Sequence, residues 1–256
     1  MSASYLCTLC VLCFVLTLAR GVYIRAPSGK ESYAQYPKWN ACINASLSFE
    51  FKTSQGTGIL MYTDDGGSYD FFELSLEGGA ARLRINIVDG HDGSVEFQVG
   101  QNLNDNKWHR VTLQRNRMET TFSVDQESSK NVSYGSDFYF GKLENNSDVF
   151  FGGLPESYMK NLENLALPSV MFSKHLAVEI RNVIYGNCSC EPVRGSLVNG
   201  VSLDGRFTEA CEQRNPCGDC LCISADAGPQ CQCDETDRCG KGKRTGYSGN
   251  FMSTGA

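Results

Sequence analysis

Three histidines, His91, His109 and His175, and 29 acidic side chains are the groups from which this 256-residue chain could assemble a hydrolytic or metal centre. Their spacing builds none of the familiar ones. There is no His-Glu-x-x-His to offer zinc two imidazoles on one helix face, no Gly-x-Ser-x-Gly turn to expose a nucleophile, and no phosphate-cradling loop. His109 follows Trp108 inside an alternating segment and is expected to be a packed or hydrogen-bonded structural residue. Catalysis is not expected.

Cysteine is the other reactive type, and its distribution is uneven. Of 13 cysteines, Cys7, Cys10 and Cys13 lie in an apolar leader, Cys42 stands alone, and nine fall between Cys188 and Cys239. Cys220-x-Cys222 and Cys231-x-Cys233 could hold zinc as thiolates, but in a secreted chain such pairs are far more often oxidised. The leader runs from Leu6 to Leu18 without a charge, short of the roughly 20 residues that cross a bilayer, and ends in small residues suited to cleavage after Ala19. We read residues 1–19 as a signal peptide and expect no transmembrane segment. Four Asn-x-Ser sequons, at Asn44, Asn131, Asn145 and Asn187, agree with export. A formal charge of −6, spread along the chain, argues against nucleic acid or an anionic membrane as partner.

What must position these groups is a β framework. Leu47, Phe49 and Phe51 alternate with Ser48, Glu50 and Lys52; Phe72, Leu74 and Leu76, then Leu83, Ile85 and Ile87, then Val95, Phe97 and Val99 repeat the period. Asp65-Gly66-Gly67, Glu77-Gly78-Gly79, Asp89-Gly90 and Asp92-Gly93 punctuate them with residues that accept positive φ. One strand per 8 to 12 residues is the rhythm of an antiparallel two-sheet sandwich. Ser157 to Leu165 could form a turn or two of helix. From 188 onward alternation gives way to Gly, Pro, Asn and Cys: residues 188–207 read as a linker, 208–239 as a disulfide-stapled segment too short for its own core, and 240–256 as a disordered tail.

Asn104-Asp105-Asn106-Lys107-Trp108-His109 followed by alternating Arg110-Val111-Thr112-Leu113 resembles a signature of laminin-G-like domains. Gly58-Ile59-Leu60-Met61-Tyr62, Tyr69-Asp70-Phe71-Phe72-Glu73-Leu74 and Val149-Phe150-Phe151-Gly152-Gly153-Leu154-Pro155 resemble strands of that family in its order, over residues 25–187. Tyr36-Pro37-Lys38-Trp39-Asn40-Ala41 is most similar to the first such domain of α-neurexins, and leader, domain and EGF-like segment stand in the order of an α-neurexin amino terminus. The resemblance implies an all-β fold: a laminin-G-like jelly-roll sandwich followed by a partial EGF-like domain. Cys211, Cys217, Cys222, Cys231 and Cys233 match five of six EGF framework cysteines. Met252 stands where the sixth belongs, and Cys220 and Cys239 are extra. The family's first-to-third and second-to-fourth pairing would join Cys211 to Cys222 and Cys217 to Cys231, leaving Cys233 to find Cys239 or nothing; spacing alone leaves the connectivity open.

The same resemblance implies a Ca²⁺ site on the sandwich rim, built from hard oxygens. Asp70 matches the ligating carboxylate and Ile87 the position that lends a backbone carbonyl. Glu144 falls where the family has Asn, and a one-residue shift offers Asn145, which would then be either a ligand or an occupied sequon. The bland alternative for Asp70 is the end of a hairpin loop beside Asp64 and Asp65. The expected function is that of an extracellular, secreted or cell-surface module that binds synaptic or other extracellular proteins, with optional Ca²⁺. The alternatives are a lectin-like glycan site around Tyr69, Asp70 and Asn145, or a soluble decoy, since the full family continues through further domains to a membrane span and this chain reads as truncated.

Overall fold

The alternating segments fold into two facing antiparallel sheets. The computed structural model describes residues 21–28, 30–87, 94–134, 138–160, 163, 165–188, 192–204, 211, 215–218 and 220–233. The leader, His91, the Asp89-Gly90 and Asp92-Gly93 turns, Cys239 and the 240–256 tail lie outside the described residues.

In chain order the strands are β1 (Val22–Ile24), β2 (Tyr33–Tyr36), β3 (Asn44–Lys52), β4 (Gly58–Asp64), β5 (Phe71–Glu77), β6 (Ala80–Asn86), β7 (Val95–Val99), β8 (His109–Asn116) and β9 (Glu119–Val124). There follow β10 (Glu127–Val132), β11 (Val149–Phe151), α1 (Glu156–Met159), a 3₁₀ turn at Pro168–Phe172, β12 (Val178–Gly186), β13 (Pro192–Arg194), β14 (Asn199–Val201), β15 (Leu203–Asp204), β16 (Leu221–Ala225) and β17 (Gly228–Gln232). One sheet runs β10-β9-β8-β3-β12-β1-β15 with β13 on β12, the other β14-β2-β11-β4-β5-β6-β7.

Register explains why alternation was visible. Leu47 faces Leu113 and Phe49 faces Val111 across β3 and β8, while Phe72 faces Ile85 and Leu74 faces Leu83 across β5 and β6. Their side chains meet in one core between the sheets, where Phe49 packs edge-on to Phe151 at 4.9 Å and Phe72 lies 5.1 Å from Trp39 and 5.0 Å from Phe140. Each such ring contributes roughly 1.5–3 kcal/mol by leaving water.

β4 breaks the one-sided pattern because both of its faces are buried. Ile59 and Tyr62 point away from the main core into a second cluster with Leu154, Leu165 and Val170. The cover is the 154–172 segment, where α1 supplies one short helical turn that overlaps the start of the Ser157 to Leu165 stretch expected to form one.

The segment expected as a linker is strand-paired instead. β13, β14 and β15 add to β12, β2 and β1 respectively. They are too short, at two or three residues, to display a period, and their ladder bonds go to sheet edges that would otherwise be unpaired. Cys42, just before β3, is joined to Cys188, just after its neighbour β12, closing a sequence separation of 146 residues.

Beyond the sandwich, β16 and β17 form a hairpin. Disulfides join Cys211 to Cys222, Cys217 to Cys231 and Cys220 to Cys233. Cys220, counted as extra, therefore takes Cys233, for which Cys239 or no partner was expected, and the two Cys-x-Cys pairs are committed to disulfides rather than zinc. The hairpin sits against a register break in β12 between Arg181 and Ile184. There Asn182 adopts φ 56° and turns its amide onto Ser224, while Arg181, stacked 3.9 Å over Trp108, pairs with Glu50 at 2.7 Å and Asp226 at 2.6 Å.

Candidate functional site: a loop rim around Asp70

Two loops meet at one end of the sandwich: the β4–β5 turn, residues 65–70, and the connection from β10 to β11, residues 133–148. The first two acidic side chains of this end are spent on structure. Asp64 accepts from the Tyr62 hydroxyl at 2.7 Å, the Tyr158 hydroxyl at 2.5 Å, and the backbone N–H groups of Gly66 and Ala166 at 3.1 and 3.2 Å. Burial pushes its carboxyl above the usual value, and these donors draw it part of the way back. Tyr158 and Ala166 belong to the 154–172 cover, so Asp64 pins that cover to the end of β4. Asp65 accepts the N–H groups of Gly67, Ser68 and Tyr69 at 3.2, 2.8 and 3.0 Å and so shapes the turn.

Asp70 is buried and reaches across to the other loop: its Oδ2 accepts the N–H of Gly141 at 2.8 Å. Gly141 has φ 44°, and a β-carbon there would stand 2.3 Å from Asn146 Oδ1 and 2.6 Å from the Asp65 β-carbon. Only glycine lets the two loops close this tightly. Asn146 is 2% exposed; its Nδ2 donates to the Phe140 carbonyl at 3.3 Å, and its Oδ1 is buried with no hydrogen-bond donor. The Asp70 carboxylate and this unmatched amide oxygen thus both lie close to Gly141.

Arg115, from β8, holds the base of the same loop. Its guanidinium donates to the carbonyls of Ala41, Cys42 at 2.8 Å and Phe138 at 2.6 Å, tying the loop to the entry of β3. Desolvation draws Arg115 down to about 10, against the opposing attraction of Asp70. On the third side, Asn86 Nδ2 donates to the Tyr69 carbonyl at 3.0 Å, which brings the end of β6, with Ile87 next in sequence and buried, against the Asp70 turn.

The other expected ligands lie elsewhere. Glu144 and Asn145 are exposed. The Leu143 and Glu144 carbonyls accept Lys38 Nζ at 3.3 and 2.9 Å, and the Asn145 backbone packs against Gly66. The inward amide of the Asn145-Asn146 pair is the second, a choice that two identical neighbours conceal in sequence. Asn145, within its sequon, is left outward.

One carboxylate and one unmatched amide oxygen suit a hard cation such as Ca²⁺ in donor type. The buried Arg115 charge beside Asp70 works against it. Among the described residues no group of three or more His, Cys, Asp or Glu is placed to hold a metal. His109 braces structure, its Nε2 at 3.0 Å from Asp105 and its Nδ1 at 2.8 Å from Asp125 with the ring against Phe51; His175 Nδ1 meets Ser32 Oγ at 3.0 Å. The remaining sequons differ in setting. Asn44 opens β3 with Oδ1 buried, Asn187 Oδ1 accepts the Asn40 N–H at 3.2 Å, and Asn131 lies on the outermost strand β10. Around the rim Tyr69, Tyr139 and Leu143 stand exposed. No helix among the described residues is long and apolar enough to cross a membrane.

Residues 51–172 match the Laminin G domain family. Neurexin 1 of Drosophila melanogaster is 38% identical over 244 residues, covering 85% of this chain and 13% of that protein. Neurexin-3a of Danio rerio is 31% identical over 210 residues, covering 82% of this chain and 12% of that protein. The chain thus spans about an eighth of the length of these relatives. Two solved structures share the fold: the LG1-3 region of the laminin alpha2 chain, with TM-score 0.57 and 23% identity over 72% of this chain and 34% of that one, and domains LG4-5 of the mouse laminin alpha1 chain, with TM-score 0.56 and 15% identity over 72% and 46%. The laminin G and neurexin relationship is one of non-enzymatic binding modules, and this chain belongs to it as a neurexin-like region built on a laminin G domain.

Proposed function

We propose that this module recognises protein ligands at the outer surface of cells through the rim around Asp70, and that Ca²⁺ orders that rim. The supporting observation is that the Asp70 carboxylate and the donor-less Asn146 Oδ1 both lie close to Gly141. A cation there takes one oxygen from each loop and a third from the Ile87 carbonyl; Asn146 stands in this reading where Glu144 or Asn145 was expected. With one carboxylate the affinity is that of extracellular modules, about 10⁻⁴–10⁻³ M. The exposed Tyr69 and Tyr139 beside it are of the type that commonly anchors interfaces, large and amphipathic at small entropic cost. Kinship to neurexins makes synaptic surfaces the first place to look, and the cysteine-rich 208–239 segment is proposed to be a divergent EGF-like unit.

The test is surface binding by the secreted protein. Labelled mature protein is titrated onto cultured neurons with Ca²⁺ or with chelator, beside a Tyr69→Ala, Tyr139→Ala double variant. The reading expects saturable binding that falls at least tenfold in the variant and weakens with chelator. Equal binding by both proteins removes the rim from recognition. Loss of binding after enzymatic stripping of cell-surface glycans, with protein ligands left intact, would favour the lectin-like alternative.

A further inference from the structure

We propose that Asn131 carries an N-linked glycan whose work is to keep the free edge of β10 from pairing with a second copy of the chain. This rests on the extracellular reading above, because the modification requires passage through the secretory pathway.

Among the described residues β10 is the last strand of its sheet and its ladder bonds go to β9 alone, through six consecutive residues without a register break, with β7 of the facing sheet close beside it. An unpaired edge of that length is a template for another strand. The devices that usually blunt such an edge are weak here. β10 contains neither proline nor bulge, and its two charges are engaged within the fold, Glu127 Oε2 with the Gly100 N–H at 3.2 Å and Lys130 with Glu119 at 2.6 Å. Its first end lies beside Gly100, after β7, whereas its last end, Asn131-Val132-Ser133, carries the sequon.

The backbone there points outward. Ser133 N–H turns inward to the Met118 carbonyl, and Val132 N–H is taken at 2.8 Å by the neighbouring Asn131 Oδ1 rather than by β9. Asn131 Nδ2, the atom to which the sugar is joined, belongs to this half-exposed side chain on the outer strand. A branched oligosaccharide at that atom occupies the space through which a partner strand would approach.

The experiment uses the full chain expressed in a secreting animal cell line. Glycopeptide mapping reports occupancy at each sequon, and light scattering behind size exclusion reports mass. Three proteins are compared: the parent, Asn131→Gln and Val132→Pro. Proline at the middle position abolishes the acceptor while also blocking the edge, and it removes no ladder bond because Val132 N–H makes none. The proposal expects Asn131 occupied, a monomeric parent, concentration-dependent dimers or larger species in Asn131→Gln, and a monomeric, unglycosylated Val132→Pro. An empty Asn131 with Asn145 occupied overturns the proposal alone; no glycan at any sequon overturns the export reading with it. A monomeric Asn131→Gln overturns the shielding role. Should Asn131→Gln fail to be secreted, enzymatic removal of glycans from the folded parent supplies the same comparison, with self-association expected and continued monomer overturning it.

Discussion

Asn182 grips Ser224 at both ends of its peptide unit: the amide Nδ2 donates to the Ser224 carbonyl at 2.8 Å and Oδ1 accepts the Ser224 N–H at 2.8 Å. A side chain thus replaces a strand, and through it the disulfide-stapled hairpin becomes an extension of the sandwich rather than a bead on a tether. Arg194 reinforces the joint, donating to Asn182 Oδ1 at 3.0 Å and to the Cys222 carbonyl.

Asn182→Gly keeps the positive φ and removes the grip. Loss of two buried hydrogen bonds costs about 2 kcal/mol locally, so amide exchange in residues 221–232 is expected to quicken more than tenfold while β3 and β8 stay protected. Unchanged protection in the hairpin would mean that the disulfides alone hold it.

Arg115 is the keystone of the rim loop. Arg115→Met fills most of the volume but leaves the Ala41, Cys42 and Phe138 carbonyls without their donor, a loss of roughly 3 kcal/mol. Denaturant unfolding should report it as a lower midpoint with unchanged slope. A variant as stable as the parent would show that the loop does not depend on this charge.

Asp64 gives a pH dependence of unusual sign. Burial raises its folded-state pKa above the unfolded value, so the folded protein takes up the proton first. The favourable contribution is fully present below the unfolded pKa, about 3.9, and is lost as pH rises through the folded value. Relative to Asp64→Asn, the parent should therefore gain stability on acidification across that window, measured as the difference in unfolding midpoint between the two proteins. A parent that loses ground to the variant as pH falls contradicts this.

The core strands were legible because each buries one face, so that Leu47-Phe49-Phe51 and Phe72-Leu74-Leu76 repeat every second residue. β4 reads as a continuous apolar run, and its two-sided burial becomes clear only with the 154–172 cover in place. The short strands β13 to β15 carry no period, and the Cys42–Cys188 bridge joins residues that only strand order brings together. Within the site, Asp70 and Ile87 could be placed by resemblance, whereas Asn146 could not, since it differs from Asn145 only in the direction the loop turns it. Asn182 gave a faint signal, an amide in the middle of an apolar strand. Its meaning lay 42 residues away.

The proposed Ca²⁺ site of Asp70 and Asn146 is open to calorimetric titration of the mature protein, beside Asp70→Asn, Asn146→Ala and Glu144→Gln after each is shown to fold. A single weak site is expected in the parent and in Glu144→Gln, abolished in Asp70→Asn and weakened at least tenfold in Asn146→Ala. No Ca²⁺ heat in the parent at millimolar concentrations, or full binding by Asn146→Ala, would contradict it.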